Sequence, residues 1–309
     1  MNPIAIQIGP IALRWYGLLI VTGALVGAWI SAGEARRRGK NPDHVWDMLV
    51  FGLLAGILGG RLYHVISSPA GTNLGWHYYF VEHPFTMIHL GSLAIPFPSA
   101  LAIWEGGLGI YGGILGGALA VWIYTRRHHL NLLRWLDIGA YGLIAGQAIG
   151  RWGNFFNQEL YGNPTTLPWG IPIDAAHRLP QFANLPLDTR FHPTFLYESL
   201  WDFFALAVML WIGRRFTHRL RNGDIALLYL ILYPLGRFLV EFQRPDAWTI
   251  LGFPTAQWIA LILIVAASLT LWWRHREPIP PDERSYPDLP TEVPKGKARK
   301  QVAKVTRGR

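Results

Sequence analysis

The stretch VWDMLVFGLLAGILGGRLYHVI, Val45 to Ile66, decides the fold of this chain. It is almost entirely apolar, and its only charged residues are Asp47 and Arg61. An α-helix rises 1.5 Å per residue, so about 20 apolar residues cross the hydrocarbon core of a bilayer. The stretch therefore predicts a transmembrane helix.

Six further stretches have similar length and apolar character. Of the 309 residues, 51% are hydrophobic and 15% are charged, whereas about a quarter are charged in an average soluble domain. We therefore expect an all-α integral membrane protein with seven transmembrane helices, external arms and a small external head region. The predicted spans are 15–33, 45–66, 107–125, 134–150, 196–213, 224–242 and 255–273, and the external segments are 67–106 and 151–195.

Basic residues are concentrated on alternate loops. All five lysines and most arginines lie in 36–44, 126–134, 214–222 and the tail from residue 274. Because loops rich in Lys and Arg stay in the cytoplasm, this pattern predicts a multi-pass protein with its amino terminus outside and its carboxyl terminus in the cytoplasm. The net charge of +9 then requires no nucleic-acid partner.

Two regions of different composition divide the chain. Residues 1–276 contain all seven predicted spans and form one predicted transmembrane domain. Residues 277–309 are first rich in proline and then basic, which predicts a disordered cytoplasmic tail. The chain has no cysteine and no P-loop, dinucleotide-binding or zinc-protease motif, so the sequence predicts no metal and no cofactor.

Glycines recur at every fourth position in three consecutive spans. This spacing places them on one helix face, where the missing side chains let helices approach closely. The pattern predicts tight packing of these helices, and a glycine face also leaves space for a lipid chain. The residues are Gly52, Gly56, Gly60, Gly109, Gly113, Gly117, Gly142, Gly146 and Gly150.

Three arginines lie near the predicted outer ends of three different spans, namely Arg61, Arg151 and Arg237. Tyr16 begins the first span at the same side. Such arginines can anchor a helix at the membrane surface. Three together favour an anion site facing the outer leaflet, because the planar guanidinium binds phosphate oxygens in a fork. A phospholipid headgroup is the expected anion.

Polar residues accompany these arginines. Glu241 follows Arg237 by four residues, which predicts an ion pair on one helix face. Asn154 and Glu159 follow Arg151 and are suited either to capping a turn or to binding the hydroxyl groups of a glycerol headgroup. Gly162 permits a sharp turn. His192 is a candidate proton carrier, although a histidine at an interface is more often structural.

The motif GRWGNFFNQELYG, residues 150–162, resembles the signature of the prolipoprotein diacylglyceryl transferase family. LRWYGL, WEGGLGIYGG, HPTFLYE and GRFLVEFQRPD resemble further segments of that family in the same order, over residues 1–273. The resemblance implies an inner-membrane enzyme that moves the diacylglyceryl group of phosphatidylglycerol to the lipobox cysteine of preprolipoproteins, and it makes residues 1–276 the catalytic domain. The implied functional positions are Tyr16, Arg151, Asn154, Glu159, Gly162, Arg237 and Glu241.

One position departs from the family pattern. Tyr111 stands where the family often has a histidine proposed as the base for the thiol. Because tyrosine has a pKa near 10, it is a poor base at neutral pH. Either Tyr111 positions substrate, or Glu159, Glu241, His192 or water accepts the proton. A transporter or flippase for anionic lipids is the alternative function, since it would also need outward arginines, but no inverted repeat supports it.

Overall fold

The computed structural model describes residues 3–8, 11–67, 75–90, 93–280 and 283–284. Within these ranges the chain is mostly helical, with seven α-helices of at least 18 residues and one short helix. The predicted tail, 277–309, lies outside the described residues except for 277–280 and 283–284. The helices are α1 (Trp15–Arg37), α2 (Asp43–Ile66), α3 (Ile110–Arg127), α4 (Leu132–Gly150), α5 (Trp152–Asn157), α6 (Thr194–Arg215), α7 (Asp224–Glu241) and α8 (Thr255–Arg274).

Each long helix lies on one of the predicted spans. In the described part of the chain, four of them, α1, α2, α6 and α8, are long and apolar enough to cross a membrane. Helix α1 extends to Arg37, beyond the predicted end at residue 33, and α3 begins at Ile110 rather than at residue 107. The basic last turn of α1 continues the helix because arginine is a good helix former and its charge is favourable near a helix carboxyl end.

Short strands correct the all-α prediction for the described residues. Three antiparallel hairpins, β1–β2, β3–β4 and β8–β9, and a three-stranded sheet with the order β5-β7-β6 lie between the helices. The strands are β1 (Ile4–Ile8), β2 (Ile11–Arg14), β3 (Phe85–Leu90), β4 (Leu93–Pro98), β5 (Pro164–Thr165), β6 (Ile171–Pro172), β7 (Arg190–Phe191), β8 (Thr249–Ile250) and β9 (Phe253–Pro254). Short helical turns cover Tyr78–Glu82, Ser99–Leu101, Ile103–Glu105, Ala175–His177, Pro180–Phe182 and Thr217–Arg219.

Glycines bring two helix pairs into backbone contact. Helix α1 meets α4 where a Cβ on Gly27 would lie 2.4 Å from the carbonyl oxygen of Gly142. Helix α2 meets α3 where a Cβ on Gly112 would lie 2.1 Å from the carbonyl oxygen of Gly59. Glycine packing is therefore confirmed for these helix pairs, although a Cβ on Gly52 or on Gly150 would meet no neighbour. The closest contact uses Gly59 and Gly112, which lie outside the every-fourth-residue pattern.

A cavity of about 660 Å³ opens beside the contact between α1 and α4. Its walls are mostly apolar and come from α1, α2, α3, α4 and α7, with Gln147 and Tyr229 among the few polar lining groups. It extends to Gly150, the last residue of α4. The two interpretations of the glycine pattern therefore coexist, because the same glycines pack helices and border open space.

A buried carboxylate at the opposite end of the helices sets the position of α7. Asp137 of α4 accepts hydrogen bonds from the backbone N–H groups of Gly223 and Ala226, at 2.8 and 3.0 Å. These N–H groups belong to the start of α7 and have no partner inside the helix. Arg38 lies 3.6 Å from the same carboxylate. The start of α7 is thereby fixed against α4, which determines where its carboxyl end lies.

Candidate functional site

Glu198 of α6 joins the two arginines that the sequence singles out. Its Oε2 lies 3.1 Å from Nε of Arg151, and its Oε1 accepts a hydrogen bond of 2.8 Å from Nη1 of Arg237. Arg151 stands at the break between α4 and α5, and Arg237 belongs to the last two turns of α7. Three helices thus meet on one carboxylate, which holds two positive charges side by side.

Each arginine has a second partner. Nη2 of Arg237 lies 2.6 Å from Oε2 of Glu241, one turn further along α7, so the ion pair predicted from their spacing is confirmed. Nη2 of Arg151 donates to the hydroxyl oxygen of Tyr233 at 3.3 Å. Two arginines and two glutamates therefore form a site with no net charge.

The two guanidinium groups keep donors for a ligand. Within the described residues, Nη1 of Arg151 and Nε of Arg237 have no hydrogen-bond partner. The two arginine side chains are 19% and 21% exposed, whereas the carboxylates of Glu198 and Glu241 are buried. The positive groups therefore face the accessible side of the site, which is the arrangement that an anion requires.

The signature segment folds into a short helix followed by a left-handed turn. Nδ2 of Asn154 donates to Oε1 of Glu159 at 2.8 Å, and Asn157 donates to the same oxygen at 3.3 Å. Gln158 ends α5 with φ at +52°, and Leu160 has φ at +57°. This reversal lets Glu159 return toward Asn154, so amides and carboxylate form one polar group beside Arg151.

Gln158 secures this turn to the following loop. Its side-chain amide donates to Oδ2 of Asp174 at 2.5 Å and accepts from the backbone N–H of Asp174 at 2.7 Å. The hydrogen bond from Gln158 lowers the pKa of the Asp174 carboxyl below its ordinary value, because it stabilises the charged form. The turn is therefore held best when Asp174 is ionised.

Gly162 lies where no side chain fits. A Cβ there would stand 2.8 Å from Cβ of His192 and 2.9 Å from the carbonyl oxygen of Gln243. Its backbone N–H donates to the carbonyl oxygen of His192 at 2.9 Å. Gly162 thus joins the signature segment to the start of α6 and the end of α7. The ring Nδ1 of His192 is 3.0 Å from the hydroxyl oxygen of Tyr197.

Tyr16 packs directly against the signature helix. A Cβ on Gly153 would lie 2.2 Å from Cδ2 of Tyr16, so only glycine leaves room for this ring. Next to it, Trp15 stacks on Phe156 with ring centroids 4.8 Å apart. The start of α1 therefore packs on α5, and the hydroxyl group of Tyr16 interacts electrostatically with Glu159 and Arg151.

Arg61 has different neighbours from the other two arginines. It is buried and donates to the carbonyl oxygens of Ser99, Ala100, Gly106 and Gly107, at 2.6 to 3.2 Å. Among the described residues, Arg61 shares no hydrogen-bond or ion-pair partner with Arg151 or Arg237. These contacts make Arg61 the support of the loop that leads into α3.

Tyr111 lies in the first turn of α3, nearer the helix start than the sequence predicted. Its side chain is exposed, and its ring is 5.8 Å from that of Tyr63 on α2. Among the described residues it forms no hydrogen bond that would turn the phenol into a base.

The sequence analysis missed Glu198 and Asp202, both buried on α6. Glu198 ends the HPTFLYE motif, and an acidic residue inside an apolar span is itself a signal for a functional site. Asp202 is a second acidic residue in the same span, one helical turn after Glu198. Two isolated carboxylates do not lower the average hydropathy of an apolar run enough to interrupt it, so the predicted span 196–213 includes both residues.

These features define a class of protein, a helical membrane protein with a partly exposed arginine pair at the ends of its helices. The family profile described as prolipoprotein diacylglyceryl transferase matches residues 3–273. The chain belongs to the prolipoprotein diacylglyceryl transferase family.

Curated relatives match over nearly the whole chain. It is 38% identical to the phosphatidylglycerol–prolipoprotein diacylglyceryl transferase of Chloroflexus aggregans, over 94% of this chain and 92% of the relative. It is 42% identical to that of Gloeobacter violaceus, over 89% and 93%. It is 41% identical to the phosphatidylglycerol–prolipoprotein diacylglyceryl transferase 2 of Streptomyces coelicolor, over 88% and 80%.

Proposed function

We propose that the protein transfers the diacylglyceryl group of phosphatidylglycerol to the thiol of the lipobox cysteine in prolipoproteins. A sulfur–carbon bond forms while the bond between the glyceryl carbon and the phosphate oxygen breaks. Glycerol phosphate leaves, and the proton lost by the thiol balances the new charge on that phosphate. Family membership supports this activity. The observation that carries it to particular residues is the bridge from Arg151 through Glu198 to Arg237.

Arg151 and Arg237 bind the lipid phosphate in this proposal. Their remaining N–H donors lie on the accessible side, and Glu198 holds the two guanidinium groups in one arrangement. As the carbon–oxygen bond breaks, charge accumulates on the departing phosphate. Donors that are already in place stabilise that charge without having to reorganise, and one such donor is worth about 3 kcal/mol, or roughly a hundredfold in rate.

The signature turn binds the glycerol headgroup. Asn154 and Glu159 form a joined amide and carboxylate that suit two neighbouring hydroxyl groups. Gly162 holds this turn against α6 and α7, and Tyr16 closes it from α1. An acyl chain of the lipid lies in the apolar cavity that reaches Gly150, the residue that precedes Arg151.

The other predicted residues have supporting roles. Arg61 positions the loop before α3 rather than binding phosphate, since its donors are occupied by carbonyl oxygens. Tyr111 is exposed and positions substrate. Glu241 orients Arg237. His192 is bonded through Nδ1 to Tyr197, so a proton-carrying role would use its Nε2.

We propose that all seven long helices cross the bacterial inner membrane as one catalytic domain, residues 1–276. The four helices that are apolar enough to span it support this arrangement. The basic clusters support an orientation with the amino terminus outside and the carboxyl terminus in the cytoplasm. The site then faces the outer leaflet, where a secreted prolipoprotein presents its lipobox cysteine, and the tail 277–309 lies in the cytoplasm.

Purified protein in detergent, incubated with phosphatidylglycerol and a lipobox peptide, tests the function. We expect the peptide to gain one diacylglyceryl mass and glycerol phosphate to be released. A Cys→Ser peptide and the Arg151→Ala variant should show no gain, whereas Arg36→Ala, a matched change of an exposed arginine, should retain it. Protein that binds the lipid but never modifies the peptide would contradict the proposal and lead to a lipid-flipping assay.

A further inference from the structure

Asp202 is a third carboxylate beside the arginine site. It lies on α6 four residues after Glu198 and is only 2% exposed. Within the described residues its Oδ2 has no hydrogen-bond partner. The next buried turn of α6, at Ala205 and Leu206, belongs to the apolar core. Asp202 is therefore the deepest acidic group of the site, at the boundary between polar contacts and hydrocarbon.

Within the described part of the chain, one cation and one further anion act electrostatically on Asp202. Arg151, at the end of α4, and Glu198, on α6 itself, are its charged neighbours. Helix α7 contributes the phenol of Tyr229, which donates to Gln147, and the phenol of Tyr233. Helix α5, residues 152–157, contributes no ionisable side chain. The cation that acts on Asp202, Arg151, is already paired with Glu198.

The protonation state of Asp202 determines the net charge of the buried site. The buried carboxylates of Glu198 and Glu241 balance Arg151 and Arg237, whereas the carboxylate of Glu159 in the signature turn is exposed and screened by solvent. An ionised Asp202 would give the empty site a charge of −1, and a bound phosphodiester would raise the total to −2. Burying an unpaired carboxylate is costly by itself. A site with that charge would repel the anion that it has to bind.

We infer that Asp202 carries a proton when the phospholipid is bound, and that it acts as a positioning residue that keeps the arginine pair available to the phosphate. This inference rests on the proposed function. A neutral Asp202 leaves the charge count at zero before the lipid enters. Two unit charges about 8 Å apart at an effective dielectric constant of about 20 repel each other enough to weaken binding roughly thirtyfold, and protonation avoids that loss.

Infrared difference spectroscopy on protein in phosphatidylglycerol nanodiscs at pH 7 tests the protonation state directly. A protonated carboxyl group has a carbonyl stretch that an ionised one lacks. Subtracting the spectrum of Asp202→Asn from that of the unaltered protein should leave this band. Asp202→Glu should shift the band instead of removing it, and Asp188→Asn, which changes an exposed carboxylate, should leave no band in the difference spectrum.

Kinetics supply a second readout. Because asparagine resembles the neutral carboxyl group, Asp202→Asn should keep its KM for phosphatidylglycerol within about twofold at pH 7. The absence of a carboxyl band, or a KM raised more than tenfold in Asp202→Asn, would show that the ionised group is needed and would overturn the inference. The infrared experiment needs lipid binding and no transfer, so a failure of the proposed activity would be seen separately as unmodified peptide.

Discussion

Replacing Glu198 with glutamine tests the arrangement at the centre of the site. The change keeps the shape of the side chain and removes the one charge that touches both arginines, at 3.1 Å and 2.8 Å. Hydrogen bonds to a charged group contribute about 1.5 to 3 kcal/mol each. Losing the alignment of both guanidinium groups should therefore cost about 3 kcal/mol in the transition state, which corresponds to a kcat lower by roughly a hundredfold.

Although kcat falls, the affinity of Glu198→Gln for the lipid should not fall. Without Glu198 the site gains one positive charge, so the phosphate is attracted at least as strongly as before. We expect KM for phosphatidylglycerol to stay the same or to fall in Glu198→Gln. If Glu198 only stabilised the fold, Glu198→Gln would reduce the amount of folded enzyme, and kcat and KM of the folded fraction would not change.

The assay is the rate of diacylglyceryl transfer at varied lipid concentration, with the thermal midpoint measured on the same samples. Glu241→Gln, which removes the second partner of Arg237 alone, should lose only about tenfold in kcat. Glu82→Gln, which changes an exposed pair with His77, is the matched control. A raised KM with an unchanged kcat in Glu198→Gln would refute the reasoning, because the bridge would then serve lipid binding alone.

Three further changes test other parts of the site. Arg151→Lys keeps the charge but loses the planar fork, so kcat/KM should fall at least tenfold; full turnover in the transfer assay would argue against bidentate phosphate binding. Gly162→Ala places a Cβ 2.8 Å from that of His192, so Tm and activity should both fall, and an unchanged Tm would show that the backbone relaxes freely. Gln158→Leu should lower Tm at neutral pH, because Gln158 holds the pKa of the Asp174 carboxyl below its ordinary value. A depressed pKa contributes stability that is lost as pH falls through it, so the Tm difference should shrink below about pH 4, and a difference independent of pH would exclude this linkage.

The long helices were predictable because their signal is local. Span 224–242 corresponds to α7, which covers Asp224–Glu241, since apolar length alone marks such a segment. Helix α5 was missed because six residues are too few to show a helical period. Strands β5, β6 and β7 were missed for the same reason, as each has only two residues and depends on partners elsewhere in the chain.

The contacts of the candidate site are also of two kinds, those that follow from local spacing and those that join distant parts of the chain. The Arg237–Glu241 pair follows from a spacing of four on one helix. The bonds of Arg61 to the carbonyl oxygens of Ser99 and Gly106 join positions 38 and 45 residues apart, and no repeat in the sequence relates them. The sequence therefore could not show that Arg61 and Arg151 have different hydrogen-bond partners.

By itself, the sequence determined the membrane class of the protein, the positions of its seven long helices, the charge asymmetry that predicts their orientation, and the polar signature after α4. These properties depend on hydrophobicity and charge summed over neighbouring residues. Only the tertiary structure decided that Glu198 joins Arg151 to Arg237, that Gly59 packs on Gly112, and that Asp202 lies beneath the site. Such contacts depend on how separate helices are rotated and packed, and a pattern along one helix shows which face is apolar but not which residue of another helix it meets.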